Sequence, residues 1–311
     1  MKKTLLFTSI LMIAGAMNAW AAACAETYSS DVLTIETVDG KCVATFDATS
    51  EETLVVPKNF TVDKVVLNRG FNAKTFGTMV LPISSDNIYF QNGQLNTISA
   101  MNCYEDNGKR TWQIDGQFVN SVKNPHIPFL IRSDNNGNPL EIIGNSPITV
   151  HATSSEDNLS STFSDVWEFR GTYTYKKWET GDSQIGHVYG FAANNKGDNI
   201  KAGQFVRVAA GASVKPMRAY LYYNKKTANA GRPAANGVKG FAAIDDEDLP
   251  STIEVVFQDK NGETTSIAQM NTVTGEFTSV TGWYDMKGRK LNKKPTQKGT
   301  YFNNGKKVVI K

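Results

Sequence analysis

Residues 282–311 read Gly282-Trp283-Tyr284-Asp285-Met286-Lys287-Gly288-Arg289-Lys290-Leu291, then a Lys- and Pro-rich connection, then Lys298-Gly299-Thr300-Tyr301-Phe302-Asn303-Asn304-Gly305-Lys306-Lys307-Val308-Val309-Ile310-Lys311. Trp283-Tyr284 is typical of a short strand, and Lys287-Gly288 is typical of a turn, because glycine adopts positive φ at little cost. Aromatic and β-branched residues flank Asn303-Asn304-Gly305, which predicts a hairpin. The stretch therefore indicates short strands joined by tight turns, and it contains no catalytic constellation.

The rest of the chain repeats this pattern. Its apolar segments are short, rich in Val, Ile, Thr, Tyr and Phe, and broken by Gly, Asn, Asp and Ser, whereas no long segment has helical period. At 40% hydrophobic and 20% charged residues, the composition is that of a globular protein with a real core. We therefore predict an all-β fold. The predicted strands before residue 224 are 32–38, 42–46, 53–57, 62–67, 77–82, 87–90, 111–114, 128–132, 148–151, 166–175, 187–192, 204–208 and 217–223, and a further strand is predicted at 253–257.

The turn spacing and composition suggest several units. We predict a small N-terminal β unit at 24–67, a central β-sandwich-like domain at 68–223, and a small C-terminal β module at 253–311. Residues 224–252 combine a Lys-, Ala-, Asn- and Gly-rich run with an acidic run, which favours a linker. We therefore expect proteolysis to act there.

The first 23 residues are predicted to be a signal peptide. Lys2-Lys3 precedes a short apolar core at 5–17, and small residues follow it, with cleavage after Ala21 favoured and Ala23 as the alternative. The apolar core is too short to span a bilayer comfortably, so we expect no stable membrane span. The predicted location is therefore secreted, or on the outer cell surface after cleavage.

The three cysteines lie at 24, 42 and 103. Asp39-Gly40 predicts a tight turn that brings Cys24 near Cys42, and exported proteins keep disulfides. We expect a Cys24–Cys42 disulfide with Cys103 free. If Cys24, which follows three alanines, were lipidated, Cys42–Cys103 would become the alternative pairing.

Charge is unevenly distributed. Residues 282–311 carry nine Lys/Arg and one Asp, which is a net charge of +8. The whole chain has a net charge of +3, and Lys2 and Lys3 supply +2, so residues 24–281 carry a net charge of −7. A basic tail on an acidic body can dock on an anionic surface, or it can simply protect hairpin edges from aggregation. Nucleic acid is not an expected partner, because export argues against it and no binding motif occurs.

Candidate ligand-binding residues are aromatic. Trp112, Trp167, Tyr173, Tyr175 and Trp178 form a possible platform for flat sugar faces, although core packing explains the same residues. His126, His151 and His187 are interpreted as ordinary strand or loop residues, because none has zinc-ligand spacing. We therefore predict no catalytic residue, no metal site and no cofactor.

Several strings carry a family resemblance. Tyr284-Asp285-x-x-Gly288-Arg289-x-Leu291, Lys294-Pro295-Thr296-x-Lys298-Gly299-x-Tyr301 and the run 304–311 resemble the C-terminal module of secreted surface proteins from Bacteroidetes and Fibrobacter. Related patterns end the sorting domains of type IX secretion cargo. The body strings 78–82, 127–131, 169–173 and 215–221 are similar to segments of the same proteins.

The resemblance informs on location more than on activity. Together with the leader and the strand-rich body, it implies an exported, non-catalytic, surface-associated β protein with an adhesive, structural or binding role. The implied partner is a cell-surface glycan or another envelope component. The alternative is a secreted carbohydrate-binding module or a glycan-degradation accessory, which exposed, coplanar aromatic residues would favour.

Overall fold

The computed structural model is built from β-strands, and no helix occurs in its described ranges. Those ranges are 23–70, 76–90, 93–106, 109–133, 139–164, 166–192, 194–196, 200–224, 249–258, 264–266, 268–270, 277–279, 282–285, 290–291, 293–303 and 306–310. The predicted signal peptide, apart from Ala23, lies outside them, as does most of the predicted linker. The all-β prediction is confirmed.

The strands are numbered in chain order. They are β1 Tyr28–Ser29, β2 Leu33–Val38, β3 Lys41–Asp47, β4 Phe60–Asn68, β5 Phe76–Val80, β6 Ile83–Ser84, β7 Ile88–Phe90, β8 Gly93–Asp106, β9 Lys109–Val119, β10 Pro128–Ser133, β11 Leu140–Val150, β12 Ser160–Thr162, β13 Trp167–Thr172, β14 Lys176–Lys177, β15 Val188–Phe191, β16 Phe205–Arg207, β17 Ser213–Val214, β18 Arg218–Tyr223, β19 Thr252–Gln258, β20 Thr264–Ser266, β21 Ala268–Met270, β22 Phe277–Ser279, β23 Trp283–Asp285, β24 Lys290–Leu291, β25 Gly299–Asn303 and β26 Lys306–Ile310.

The first large sheet has seven strands in the order β1-β2-β3-β4-β11-β6, and β7 also pairs with β11. Its β2–β3 hairpin turns at Asp39 and Gly40, whose φ angles are 49° and 74°. Positive φ at both central turn residues matches the right-handed twist of the flanking strands, which is why Asp-Gly is favoured there. The predicted hairpin is therefore confirmed, while β3 and β4 pair in parallel.

A disulfide joins Cys24 to Cys42, with their Cα atoms 4.6 Å apart. Both cysteines are buried in the hydrophobic core that packs on this sheet, which we call the first core. The bond therefore fastens the start of the described chain to β3. The expected pairing is confirmed, and a Cys24 thiol held in this bond is not available for a lipid. Cys103 belongs to β8, but its side chain lies outside the described part of the structure.

The second large sheet has eleven strands in the order β12-β13-β18-β15-β16-β19-β9-β8-β10-β5, with β20 beside β19. It folds back on itself, because the second core takes side chains from both of its halves. Trp112 of β9 and Trp167 of β13 meet there with ring centroids 5.9 Å apart. The arrangement is sandwich-like, and β19 joins the two halves through β16 on one side and a parallel pairing with β9 on the other.

The middle of the molecule is a layer buried on both faces. Along β10, Phe129 and Ile131 belong to the first core, between the two large sheets, whereas Leu130 belongs to the second. Successive side chains of a strand point to opposite faces, so a strand between two cores needs an unbroken apolar run. This explains why Pro128–Ser133 does not alternate between apolar and polar residues.

One end of the second sheet, β5, lies against β13 and β18 near the other end, and we call this boundary the seam. The Val80 amide donates to the Met217 carbonyl at 3.2 Å, and the Ala219 amide donates to Thr78 Oγ1 at 3.0 Å. At Gly171, an added Cβ would lie 2.7–2.9 Å from three Val80 side-chain carbons. These hydrogen bonds and the close approach of Gly171 to Val80 cross the seam, and no regular strand ladder joins β5 to β18 among the described residues.

The predicted unit boundaries do not coincide with sheet boundaries. β4 pairs with β11, so residues before and after 67/68 share one sheet and one core. Ile253 of β19 is buried in the second core, beside Leu249. The division into units thus remains a prediction of the sequence, and residues 249–258 pack with the body.

Two local predictions have different outcomes. Residues 53–57 form no strand, because their backbone hydrogen bonds are made with loop residues. The Leu54 amide donates to the Tyr173 carbonyl, and the Thr153 amide donates to the Val56 carbonyl. The β25–β26 hairpin is confirmed, within a four-stranded sheet ordered β24-β23-β25-β26. Strand β8 was not predicted, since polar residues interrupt its apolar ones.

Candidate functional site

The five predicted ligand-binding aromatic residues are divided among separate surroundings. Trp112 and Trp167 are buried in the second core, and Tyr173 is buried in the first. Trp178 is buried against Tyr220 in a third, smaller cluster, and Tyr175 alone of the five is exposed, at 39%. Buried rings present no flat face to solvent, so these five do not form the sugar platform that the sequence allowed. Their large apolar area explains the burial.

Polar side chains cross the outer face of β13 and β18. Glu168 accepts a hydrogen bond from Arg170 Nε at 2.7 Å and another from Asn224 Nδ2 at 2.7 Å. The Arg170 guanidinium lies 3.8 Å from the Tyr222 ring centroid. Burial alone would raise the pKa of Glu168, but the two hydrogen bonds and the Arg170 charge hold that pKa below its ordinary value. A carboxylate held ionised in this way is poorly suited to act as a general acid.

A second polar cluster, which we call the histidine cluster, consists of Ser84, His126, His151, Asp157 and Tyr173. Its first pair arises from strand register. Ser84 of β6 lies opposite Thr149 of β11, so His151, two residues further on, is its diagonal neighbour on the same face. Ser84 Oγ lies 2.6 Å from His151 Nε2, and the His151 amide donates to the Pro82 carbonyl.

His126 extends the cluster from a loop. Its φ of 68° is in the left-handed region, which is unusual for a non-glycine residue and is associated with functional positions. His126 Nδ1 lies 2.9 Å from the Tyr173 hydroxyl and 3.6 Å from Asp157 Oδ2. The His126 ring centroid lies 6.3 Å from that of His151. The cluster is therefore a continuous row running from Ser84 to Asp157.

Burial sets the protonation of this row. It lowers the pKa of His126, an effect that the Asp157 carboxylate partly offsets. Burial also lowers the pKa of His151, and the positive charge of a protonated His126 lowers it further. Both imidazoles are therefore neutral at neutral pH. Burial and Asp157 raise the pKa of Tyr173, so its hydroxyl keeps its proton.

Two pairs within this row are close enough to exchange a proton, namely Ser84 with His151 and His126 with Tyr173. A neutral imidazole beside a serine hydroxyl is the arrangement in which a base activates a nucleophile. The side chains of His126 and Asp157 are 14% and 17% exposed, so the row borders solvent. Perturbed, clustered titratable groups are the usual physical mark of a functional site.

The histidine cluster was not predicted from the sequence. His126 and His151 are 25 positions apart and match no spacing motif, and pairing of β6 with β11 brings Ser84 beside His151. Only a correct prediction of that strand pairing could have revealed it. His187 stands elsewhere, stacked on Tyr223 with ring centroids 6.1 Å apart, as an ordinary packed residue.

No group of three or more His, Cys, Asp or Glu side chains converges as a metal site within the described ranges. In the same part of the chain, no helix is long and apolar enough to cross a membrane. Comparison of the chain with protein-family models, curated proteins and solved structures finds no match. Functional inference therefore rests on the residues themselves.

Proposed function

We propose that the protein is exported and acts at the outer cell surface as a non-catalytic β protein with an adhesive or structural binding role. The observation that carries the proposal is the Cys24–Cys42 disulfide in the first core. Disulfides persist in oxidising compartments outside the cytosol. The basic and apolar residues that precede Cys24 have the composition of a leader, which supports the same location.

Charge supports an envelope component as the partner. Residues 282–311 carry a net +8, whereas residues 24–281 carry −7. Lys293, Lys294 and Lys298 are exposed beside the four-stranded sheet. A basic surface raises the local concentration of anionic partners, and the resemblance of this segment to surface-protein modules supports the same role. A cell-surface glycan or another envelope polymer is the partner class that we propose.

Two measurements test the proposal. The first is expression of the full chain in a Gram-negative host, cell fractionation, and N-terminal sequencing of the product. We expect mature protein beginning at Ala22 or Cys24, with Cys24 and Cys42 blocked before reduction. Protein that stays in the cytosol, begins at Met1 and has Cys24 and Cys42 as free thiols would refute export.

The second measurement is sedimentation of the mature protein with insoluble polysaccharides and with isolated cell envelopes. Binding to an envelope or glycan fraction, weakened by salt and by Lys293→Glu/Lys294→Glu/Lys298→Glu, is the expected result. A matched control reverses Lys196, an exposed lysine of the body. Absence of binding to every fraction contradicts the surface role, while export is judged by the first measurement alone.

A further inference from the structure

The histidine cluster contains a serine with its own base. Ile83 and Val150 are buried in the first core, whereas the neighbouring Ser84 and His151 are only half-buried on the opposite side of their strands. This alternation places the hydroxyl and the imidazole together at the rim of the first sheet. The Oγ–Nε2 distance of 2.6 Å is within the reach that proton transfer from nucleophile to base requires.

We propose that Ser84 is an acylation site, at which His151 removes the hydroxyl proton and the serine takes an acyl group from an activated ester. The proposal does not depend on the surface role. It assigns a covalent modification to one residue and requires no turnover.

The proposed step balances as an ordinary acyl transfer. Ser84 Oγ forms a bond to the ester carbonyl carbon while its proton moves to His151 Nε2. The tetrahedral adduct then collapses with cleavage of the bond to the alcohol oxygen, and the proton on His151 is given to that leaving oxygen. The products are acyl-Ser84 and a free alcohol, with no oxidant or further reactant.

The surroundings favour the neutral imidazole that the step needs. His126, Asp157 and Tyr173 are the titratable groups of the cluster facing this pair, and the proximity of His126 disfavours a charged His151. In the neutral tautomer that carries its hydrogen on Nδ1, His151 accepts the Ser84 proton through Nε2. The adjacent Ser85 lacks these features, since its Oγ is buried and has no hydrogen-bond partner in the described part of the chain.

The test is incubation of the mature protein with p-nitrophenyl acetate, followed by intact mass and peptide mapping. We expect one acetyl group on Ser84 that hydroxylamine removes, which separates an ester from acetyl-lysine. Ser84→Ala should abolish this label, and His151→Gln should slow it about 10²-fold or more, the usual contribution of a general base. Ser161→Ala, a half-buried strand serine, is the matched control and should label as the parent does.

The pH profile distinguishes a base from a merely structural partner. In the parent, the labelling rate should reach half its plateau below pH 6.5, because the pKa of His151 is lowered from that value. His126→Gln should move the midpoint upward by removing a neighbouring positive charge. The proposal is overturned if Ser84 carries no label, if folded His151→Gln labels at the parent rate, or if the rate climbs tenfold per pH unit without a plateau.

Discussion

Replacing Gly171 with alanine should strain the seam between β5 and β13. The new Cβ would lie 2.7 Å, 2.8 Å and 2.9 Å from Val80 Cγ1, Cβ and Cγ2, all shorter than carbon atoms tolerate. Val80 is fully buried, so it has no open space into which to turn. Overpacking of this kind costs about 1–3 kcal/mol, and the stiffer unfolded chain offsets about 0.4–1 kcal/mol of that cost.

A double-mutant cycle makes the argument specific. Val80→Ala alone should cost about 2–3 kcal/mol, from two lost methyl groups and the cavity they leave. In the Gly171→Ala background it should cost about 1 kcal/mol less, because it removes the two γ carbons that clash and leaves only the Cβ contact. Gly190→Ala is the control, since its nearest atom, Val208 Cγ1, is at an ordinary 3.5 Å.

The assay is urea unfolding followed by tryptophan fluorescence, with Trp112 and Trp167 reporting the second core. We expect a lower midpoint for Gly171→Ala at unchanged slope, and little change for Gly190→Ala. If Gly171→Ala and Gly190→Ala unfold at the same urea concentration, or if the double mutant is strictly additive, then β5 and β13 do not approach as the structure shows.

Four further predictions concern other parts of the molecule. Replacing Cys24 and Cys42 with alanine should lower the free energy of unfolding by about 3 kcal/mol, because the disulfide closes the loop between these two residues, and an unchanged urea midpoint would contradict this. Thr78→Val should cost about 1–3 kcal/mol by leaving the buried Ala219 amide unpaired, whereas exposed Thr61→Val should cost far less in the same assay. The free energy of unfolding should fall as the pH drops through 6.5 toward the lowered pKa values of His126 and His151, because the unfolded state protonates these two imidazoles first. In the double mutant His126→Gln/His151→Gln, the thermal-melting midpoint should change less between about pH 7 and about pH 5. Truncation after residue 281 should keep a cooperative melt, but truncation after residue 248 should lose it, because β19 is then removed from the eleven-stranded sheet.

Local patterns predicted the strands well where one physical signal dominated. Asp39-Gly40 specified its hairpin because few dipeptides accept two positive φ angles. The segment 128–132 was predicted as a strand, which β10 confirms, but its burial on both faces was not predicted. Residues 53–57 have strand composition and still form none, since the partners that satisfy their amides are loops.

Long-range pairing set the limits of prediction. The division at 67/68 follows a real change in local pattern, yet β4 finds its partner at β11, more than 70 residues away. The same kind of pairing assembles the histidine cluster, which no local spacing could reveal. The aromatic residues illustrate the opposite limit, because their composition fits a sugar platform and a core equally well, and only the three-dimensional packing separates the two.

The central position of β19 has a consequence for how the chain folds. It pairs in parallel with β9, so residues about 140 positions apart must meet before the eleven-stranded sheet is continuous. Contacts of such high sequence separation slow folding, because the entropy of loop closure is lost before they form. A chain emerging N-terminus first can build the seven-stranded sheet from residues 28–150, but it must hold the second core open until residues 252–258 arrive. We expect hydrogen-exchange pulse labelling to protect β4 and β11 before β9 and β16; simultaneous protection would contradict this order.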